Sequence, residues 1–396
     1  MFSERTPSGE LTNRLARALA ARARPFLDLT RTNPTCVELG LDRSQELALL
    51  ADARGASYEP DPKGLLRARE AVAGYYAGHG VTADPSRVLL SASTSEAYSW
   101  LFKLLASPGE AVLVPAPSYP LLDALAGLEG VVLRRYPLDE ADGWRLHAGS
   151  VAAAAEEAAR AGHRVAAAVC VNPNNPTGSS VSLEEWGRLT ALAAERGFAL
   201  VSDEVFLDYR FAPAASDVRV GASEPGGALV FSLGGLSKTS ALPQLKLGWV
   251  LAGGPEPLLS EALHRLEWIA DAFLSVSTPV QLALQGLLAR APRAAAAVTD
   301  RVLRNEALLR EAFRPSGAVS VLPVPAGWAA VLRVPALVPE EELVLSLLSE
   351  EDLLVHPGYF FEFPHEAFLV LSLLPETGEL AEGVARLARR LLEGAP

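Results

Sequence analysis

Short apolar segments alternate with amphipathic segments from about residue 87 to residue 253 of the chain. The apolar segments are rich in Val, Leu and Ala, which is typical of strands buried on both faces. They predict strands at residues 87–92, 111–116, 130–137, 164–171, 198–203, 228–233 and 247–253. The intervening segments predict helices at residues 94–106, 117–128, 150–161 and 182–196. This alternation predicts an α/β fold, with a mostly parallel seven-stranded sheet flanked by helices.

The pattern changes after Gly254. A helical pattern covers about 256–288, with Pro279 as the expected break, and a second covers 293–313. Further elements are predicted as strands at 318–323, 328–335 and 367–374 and as helices at 339–350 and 379–393. This part indicates a smaller α+β unit, on which we expect the N-terminal segment to pack. We therefore predict a large domain of residues 46–280 and a small domain of residues 1–45 and 281–396.

Composition narrows the classes of function. The chain has 396 residues, of which 49% are hydrophobic, and a formal net charge of −12. Such an acidic surface disfavours nucleic acids and anionic membranes as partners. No apolar run approaches the ~18 residues that cross a bilayer, and the first residues lack the apolar core of a signal peptide. The two cysteines, Cys36 and Cys170, are interpreted as reduced thiols, so we expect a cytoplasmic protein.

The first candidate for chemistry is Lys238, in the segment SLGGLSKTSALPQLKLGW (232–249). It follows a Gly- and Ser-rich turn directly after an apolar strand. Alone, this position is more typical of a solvated loop lysine. A buried lysine with small neighbours would instead have the lowered amine pKa and the space that Schiff-base chemistry requires. Ser-x-x-Lys hydrolase chemistry is excluded, because Gly235 stands three residues before Lys238.

Two further segments follow predicted strands. In VNPNNPTGSS (171–180), two Asn-Pro pairs and a Gly predict a rigid loop, whose side-chain amides would either shape the turn or donate to a ligand. In VSDEVFLDYR (201–210), a strand ends at Asp203 and Glu204. Asp203 would either cap the following turn or pair with the ring nitrogen of a cofactor.

The order of these three segments resembles the pyridoxal 5′-phosphate (PLP)-dependent aminotransferases of fold type I, the aspartate-aminotransferase-like class I/II family. The resemblance covers nearly the whole chain, including residues 58–76, 89–98 and 108–120. It implies that Lys238 forms a Schiff base with PLP and carries the proton of the reaction. Asp203 would pair with the pyridinium nitrogen, Asn175 would donate to the phenolic oxygen, and Tyr119 would stack on the ring.

The resemblance also implies a phosphate site at the start of a helix, where backbone amides and the helix dipole favour an anion. Its expected residues are Ser93, Thr94, Ser95, Ser237 and Lys246. Tyr58 would reach the phosphate from a second subunit, which implies a homodimer with a shared active site. Lys246 stands where the family usually has an arginine, so the charge is kept and the two-pronged geometry is lost. Phe206 replaces a tyrosine that would donate to the phenolic oxygen.

A third departure concerns the substrate. Val370 stands where the family usually has an arginine that binds the α-carboxylate, and no arginine occurs between Phe361 and Ala385. Either another residue binds this carboxylate or the substrate lacks it. The candidates are Arg31, Asn33, Arg333 and His356. Arg333 is at least as typical of a surface ion pair, and a loop histidine before Pro-Gly, such as His356, is more often structural. The aromatic residues at 359–361 would line an apolar pocket or belong to the core.

The resemblance favours an aminotransferase that moves an amino group between an amino acid or amine and a 2-oxo acid. The alternative is another fold-type-I PLP enzyme, such as a β- or γ-lyase, a cyclase or an oxidase-like enzyme. A PLP-binding effector domain of a transcription regulator is disfavoured, because such proteins carry a basic helix-turn-helix extension. The six histidines are scattered and no dinucleotide, P-loop or HExxH motif occurs, so no metal site is expected.

Overall fold

A computed structural model describes residues 2–3, 5–7, 13–211, 214, 216–314 and 317–392 of the chain. The strands in this part of the chain are β1 (Leu27–Asp28), β2 (Val88–Ser91), β3 (Ala111–Ala116), β4 (Val132–Pro137), β5 (Val165–Val171), β6 (Ala199–Asp203), β7 (Val230–Gly235), β8 (Gly248–Gly253), β9 (Ser320–Val321), β10 (Ala329–Arg333), β11 (Leu353–Leu354), β12 (His356–Pro357) and β13 (Phe368–Ser372). The α-helices are α1 (Arg14–Ala20), α2 (Ser44–Ala48), α3 (Leu66–Gly78), α4 (Thr94–Leu105), α5 (Leu121–Glu129), α6 (Ala148–Arg160), α7 (Leu183–Arg196), α8 (Leu236–Thr239), α9 (Leu258–Phe273), α10 (Thr278–Phe313), α11 (Glu340–Glu350) and α12 (Thr377–Leu392).

The large sheet confirms the predicted α/β class. Its seven strands lie in the order β2-β8-β7-β6-β5-β3-β4. Strand β8 is antiparallel to both of its neighbours, and the other strand pairs of this sheet are parallel. Since the parallel strands share one direction, their carboxyl ends meet at one edge, where open α/β sheets bind ligands.

Helices cover both faces of this sheet. On one face, Trp186 of α7 and Val151 of α6 pack in a core that includes Leu113 of β3. On the other face, Trp100 of α4 packs in a second core that includes Val112. Adjacent residues of β3 therefore enter opposite cores, as the alternation of side chains along a strand requires. Such burial on both faces explains why these strands are continuous apolar runs in the sequence.

The long helix α10 differs from the prediction in two ways. The break between the two helices falls at residues 274–277, and Pro279 lies in the first turn of α10. A proline is tolerated there because the first N–H groups of a helix have no intrahelical partner. The helix predicted separately at 293–313 is the second half of α10, which continues through Pro292.

The C-terminal part of the chain forms a second sheet, with strand order β12-β13-β10-β9 and antiparallel pairing. Its core includes Leu347 of α11, Leu369 of β13 and Leu380 of α12. The N-terminal segment joins this part through β1, which pairs with β11 in parallel. Helix α10 contributes to the cores of both parts, so the division of the chain at residue 280 stays a prediction. Within the described residues, every helix is too short or too polar to span a bilayer.

Candidate active site

A cleft of about 340 Å³ opens at the carboxyl ends of the parallel strands. From the large sheet, its lining includes Val171 at the end of β5, Asp203 at the end of β6, and the first residues of α4. From the second sheet, it includes His356 of β12 and residues 370–372 of β13. The cleft therefore lies between the two parts of the protein.

Lys238 lies in this cleft on α8, the single helical turn that follows β7. Burial lowers the pKa of its amine to about 8, although the nearby Asp203 carboxylate opposes this shift. Nζ lies 4.5 Å from the ring centroid of Trp328 and 5.4 Å from that of Phe206. The backbone of this turn is fixed, since the Tyr209 hydroxyl donates to the Lys238 carbonyl oxygen at 2.7 Å. The site thus holds a fixed amine that is neutral more often near physiological pH than an exposed lysine is.

Asp203 presents its carboxylate to the same cleft. Oδ2 accepts a hydrogen bond from the Tyr98 hydroxyl at 2.9 Å, and Oδ1 accepts one from the Val205 N–H at 3.2 Å. Burial raises the pKa of this carboxyl, whereas these hydrogen bonds and the Lys238 charge lower it. A protonated ring nitrogen is the kind of partner that such a buried carboxylate would stabilise.

The neighbouring Glu204 is outside the cleft. Its Oε1 accepts hydrogen bonds from the Gly221 N–H at 2.6 Å and the Ser232 hydroxyl at 2.9 Å. Burial raises the pKa of its carboxyl to about 8. Of the two adjacent acids, only Asp203 is placed for chemistry.

One corner of the cleft lies at the start of α4, and we call it the anion-binding corner because the sequence predicts phosphate binding there. Ser93 caps the helix by accepting from the Glu96 N–H at 3.1 Å, and Glu96 Oε2 accepts in return from the Ala92 N–H at 2.6 Å. This arrangement resembles a capping box, with the return hydrogen bond coming from the residue before the N-cap, and it leaves amides of the first turn free for another acceptor. The side chains expected to bind phosphate all line the cleft: Ser93, Thr94, Ser95, Ser237 and Lys246.

Strand β8 passes very close to this corner. A Cβ atom on Gly248 would lie 3.1 Å from the Ser93 carbonyl carbon and from the Thr94 nitrogen. A side chain at this position would require the start of the helix to move by a few tenths of an ångström, which glycine avoids.

The loop at 171–180 uses its asparagines for different purposes. The Asn172 amide donates to the Val218 carbonyl at 3.2 Å, and its oxygen accepts from the Val181 N–H at 3.1 Å. The Asn174 amide donates to Thr177 Oγ1 at 2.8 Å. Asn175, by contrast, lines the cleft. Two asparagines therefore shape the loop and the third faces the site.

The two predicted tyrosines are placed differently. Tyr119 lines the cleft with half of its surface exposed, as stacking on a bound ring requires. Tyr58 does not line the cleft of its own chain, and it is 66% exposed. This exposure leaves the Tyr58 phenol free to reach a second molecule.

Four neighbouring residues form another part of the lining, which we call the neutral wall: Ser118, His356, Phe361 and Val370. Val370 is buried and lies opposite His356 in the pairing of β13 with β12. Burial lowers the pKa of the His356 imidazole, although Asp28 opposes the shift. The Ser118 backbone N–H donates to the Phe361 carbonyl at 2.8 Å.

Three of the four sequence candidates for substrate binding do not line the cleft. Arg31 forms an ion pair of 3.2 Å with Glu379, although its neighbours Thr30 and Thr32 line the cleft. Asn33 Oδ1 accepts from the backbone and hydroxyl of Thr35 in an exposed turn. Only His356 is in the cleft.

Arg333 also lies away from the cleft. It lines a separate pocket of about 460 Å³, where it pairs with Glu140 at 3.1 Å. Along β10 it is four residues beyond Ala329, which lines the cleft, and such a separation is roughly 13 Å in a strand.

Sequence reasoning missed several cleft residues, including Tyr98, Trp328 and Ser118. Tyr98 had a detectable signal, because it lies one helical turn after Thr94 and a buried phenol needs a partner. Trp328 and Ser118 carry no motif, and only the tertiary fold brings them to the site.

The side chains of the cleft fit PLP in kind. A buried amine, a buried carboxylate, an exposed aromatic face and an anion-binding corner match its aldehyde, ring nitrogen, ring face and phosphate in turn. Within the described residues, no group of three or more histidine, cysteine or acidic side chains is arranged to hold a metal ion.

Comparison with known proteins agrees with this chemistry. The family described as aminotransferase class I and II matches residues 28–387. An alanine aminotransferase of Mycobacterium tuberculosis is 30% identical over 349 residues, which cover 84% of this chain and 77% of that protein. A glutamate-pyruvate aminotransferase of Haemophilus influenzae is 27% identical over 347 residues, covering 84% and 82%.

Solved structures share the fold. An alanine aminotransferase from Pyrococcus furiosus superimposes with a TM-score of 0.82 at 23% identity, covering 95% of both chains. A mutant aspartate aminotransferase of Thermus thermophilus gives 0.83 at 23% identity, covering 98% of this chain and 99% of the other. At this identity the likeness concerns the fold alone.

Proposed function

Since the chain belongs to the family of class I and II aminotransferases, we propose that the cleft around Lys238 is its active site and that Lys238 binds PLP covalently. The chain is a transaminase, and its family uses PLP. The observation that carries the assignment is the buried Lys238 amine, which lines the same cleft as the Asp203 carboxylate. No other lysine lines the cleft among the described residues except Lys246, at the anion-binding corner.

The remaining contacts follow from the chemistry of each side chain. Asp203 would accept a hydrogen bond from the protonated ring nitrogen, and Tyr98 and the Val205 N–H would hold this carboxylate in place. Asn175 would donate to the phenolic oxygen, and Tyr119 would cover one face of the ring. The phosphate would be bound by Ser93, Thr94, Ser95, Ser237 and Lys246.

Lys238 is also the proton carrier in this proposal. When bound, PLP supplies an electron-accepting ring that stabilises the negative charge on a carbon that loses a proton. The neutral Lys238 amine accepts this proton. It then returns the proton to the cofactor carbon that bears the transferred amino group. A pKa of about 8 suits both roles, because the amine gains and loses a proton readily near neutral pH. Phe206 and Trp328, whose rings surround Nζ, restrict water around the amine.

The donor in this proposal is an amino acid or amine and the acceptor is a 2-oxo acid. The relatives named for alanine and for glutamate and pyruvate make these compounds the first to test. The direct experiment is to mix the PLP-loaded protein with a panel of amino acids, amino acid amides and amines. Stoichiometric formation of pyridoxamine 5′-phosphate, by absorbance and chromatography, supports transamination.

The same panel separates the alternatives. A lyase would release ammonia and a cleaved product while the cofactor stayed in its aldehyde form. If no amino compound of any class yields pyridoxamine phosphate, the proposed reaction is wrong. The Lys238→Ala variant is the control, since it lacks the amine that carries the proton.

We further propose a homodimer with a shared active site. Tyr58 is 66% exposed, and Leu66 and Trp268 are exposed apolar residues on segments joined by the Lys63–Glu267 ion pair of 3.6 Å. Burying such side chains against a second copy would be favourable. Sedimentation should give the mass of a dimer. Mixing Tyr58→Phe with Lys238→Ala subunits should then restore a site that neither variant has alone, whereas a mixture as inactive as its components would contradict the shared site.

A cytoplasmic location completes the proposal. It is supported by the free thiols of Cys36, which is exposed, and Cys170, which is buried. Unpaired thiols are typical of a reducing compartment. Fractionation of the source cells, with the protein detected by antibody, tests the location.

A further inference from the structure

The neutral wall is a continuous surface built from both parts of the protein. Ser118 is bonded through its backbone N–H to the Phe361 carbonyl, and the Phe361 ring lies 5.8 Å from the His356 ring. His356 in turn lies opposite Val370 across the β12–β13 pair. All four residues line the cleft that contains Lys238, so they form part of the surface that a bound substrate meets.

No fixed positive charge belongs to this wall. Among the described residues that line the cleft, Lys238 and Lys246 are the only ones with a lysine or arginine side chain. In the proposed active site Lys238 binds the cofactor, and Lys246 lies at the anion-binding corner. Arg31, which stands between the cleft residues Thr30 and Thr32, is paired with Glu379. Burial keeps the His356 imidazole neutral by lowering its pKa.

Two polar atoms of the wall are buried without a hydrogen-bonding partner. They are the Ser118 hydroxyl oxygen and His356 Nδ1. Ser118 is only 6% exposed, so its hydroxyl is shielded from bulk water. A buried polar atom without a partner is costly, and a ligand that supplies the partner recovers this cost. A hydroxyl donates and accepts, and a neutral imidazole has one nitrogen of each kind.

The chemistry of these groups discriminates between two kinds of substrate. A carboxylate against Val370 would be desolvated with no cation to balance it, which is strongly unfavourable. A carboxamide is neutral and offers both an acceptor oxygen and donor hydrogens, which match Ser118 and His356. We propose that the neutral wall favours an amino donor that carries an uncharged polar group, exemplified by a carboxamide, on the carbon that bears the amino group, over a donor that carries a free carboxylate there. This inference rests on the active site proposed above.

Binding of unreactive analogues tests the inference directly. The PLP-loaded protein is titrated calorimetrically with 4-methylpentanamide and with 4-methylpentanoate, which share a shape and differ in charge. We expect the amide to bind at least about tenfold more tightly, which corresponds to about 1.4 kcal/mol. Equal or tighter binding of the carboxylate overturns the inference, and so does the absence of binding by both compounds.

Substitutions at Val370 and His356 show whether these residues determine the preference for the amide. Val370→Arg should reverse the preference towards the carboxylate, whereas the uncharged, similarly long Val370→Met should keep it. His356→Phe should reduce amide binding more than His356→Gln, which keeps a neutral donor and acceptor. A folded Val370→Arg protein that still prefers the amide overturns the inference. If circular dichroism shows that this variant does not fold, the titrations of the native protein still decide the question.

A reactive pair separates this inference from the proposed reaction. Leucinamide should convert the bound cofactor to pyridoxamine phosphate faster than leucine does. If leucine converts the cofactor and leucinamide does not, the inference is overturned and the aminotransferase function is left intact. Tight binding of the amide analogue without conversion by any amino compound instead supports the wall and contradicts the proposed reaction.

Discussion

The Tyr98 hydroxyl donates a hydrogen bond of 2.9 Å to Asp203 Oδ2. Tyr98 lies on α4, one helical turn after Thr94 at the anion-binding corner. Helix α4 therefore forms the anion-binding corner and, through Tyr98, also positions the Asp203 carboxylate at the end of β6. The distance between these two groups is set by helix geometry rather than by a loop, which suits a cofactor of fixed length.

Replacing Tyr98 by phenylalanine should weaken the function of Asp203. The hydrogen bond from Tyr98 lowers the pKa of the buried carboxyl, so its loss raises that pKa further. Asp203 would then be ionised only at higher pH, and the acidic limb of the pH–rate profile should move upwards. Loss of a hydrogen bond to a charged group should reduce kcat/KM on the order of tenfold to a hundredfold. Rapid-mixing spectroscopy across pH measures both effects.

The matched control is Tyr136→Phe. The Tyr136 hydroxyl donates to the Val169 carbonyl at 2.7 Å, so this variant also loses a buried phenolic hydrogen bond but not one to Asp203. It should lose stability without a shift of the acidic limb. A similar shift in both variants would show that Tyr98 acts through general packing.

The Lys238 amine should react with aldehydes at lower pH than ordinary lysines. Burial disfavours the charged ammonium and lowers its pKa to about 8, so the neutral amine predominates above that pH. The rate at which cofactor-free protein incorporates PLP should therefore rise with pH and level off above about pH 8. Stopped-flow absorbance gives this profile. A rate that keeps rising towards pH 10, the range of an exposed lysine, would contradict the predicted shift.

Lys246 should contribute to phosphate affinity through its charge. Lys246→Ala should weaken PLP binding by about tenfold or more, because a charge-assisted hydrogen bond is lost. Lys246→Arg should keep or strengthen binding, since guanidinium can bind phosphate with two parallel hydrogen bonds. The backbone φ of 51° at this position affects the alanine and arginine variants alike. Equilibrium dialysis of PLP with the Lys238→Ala background measures affinity apart from covalent attachment, and an alanine variant with native affinity would refute the role.

Removing Arg333 should leave catalysis within about twofold of native, the scale of surface substitutions. Its guanidinium pairs with Glu140 in a pocket away from Lys238. Steady-state kinetics of Arg333→Ala test this expectation, with His356→Phe as the contrasting variant inside the cleft. A large rise in KM for Arg333→Ala would show that this arginine takes part in substrate binding.

Much of the fold was predictable, because strands buried on both faces leave an apolar signature. The predicted strand at 111–116 coincides with β3, and the predicted helix at 94–106 differs from α4 by one residue. The two-residue strands β1, β11 and β12 were not predicted, because so few residues show no periodicity. The continuity of α10 through Pro292 was missed, since proline usually breaks a helix and only packing on both cores reveals the exception.

The site was predictable where motifs end strands or begin helices. Asp203, Lys238 and the start of α4 meet because parallel strands share an edge. Tyr98 and Asp203, in contrast, are 105 residues apart, and no local pattern links them. Arg333 illustrates a related difficulty, because sequence alone does not give the distance of a strand residue from a cleft.

Reductive trapping identifies the residue that carries PLP. The protein is incubated with PLP, reduced with borohydride to make the attachment permanent, digested, and mapped by mass spectrometry. We predict one stoichiometric pyridoxyl modification on the peptide that contains Lys238 and none there in Lys238→Ala. Stoichiometric modification of another lysine, with Lys238 unmodified, would contradict the account.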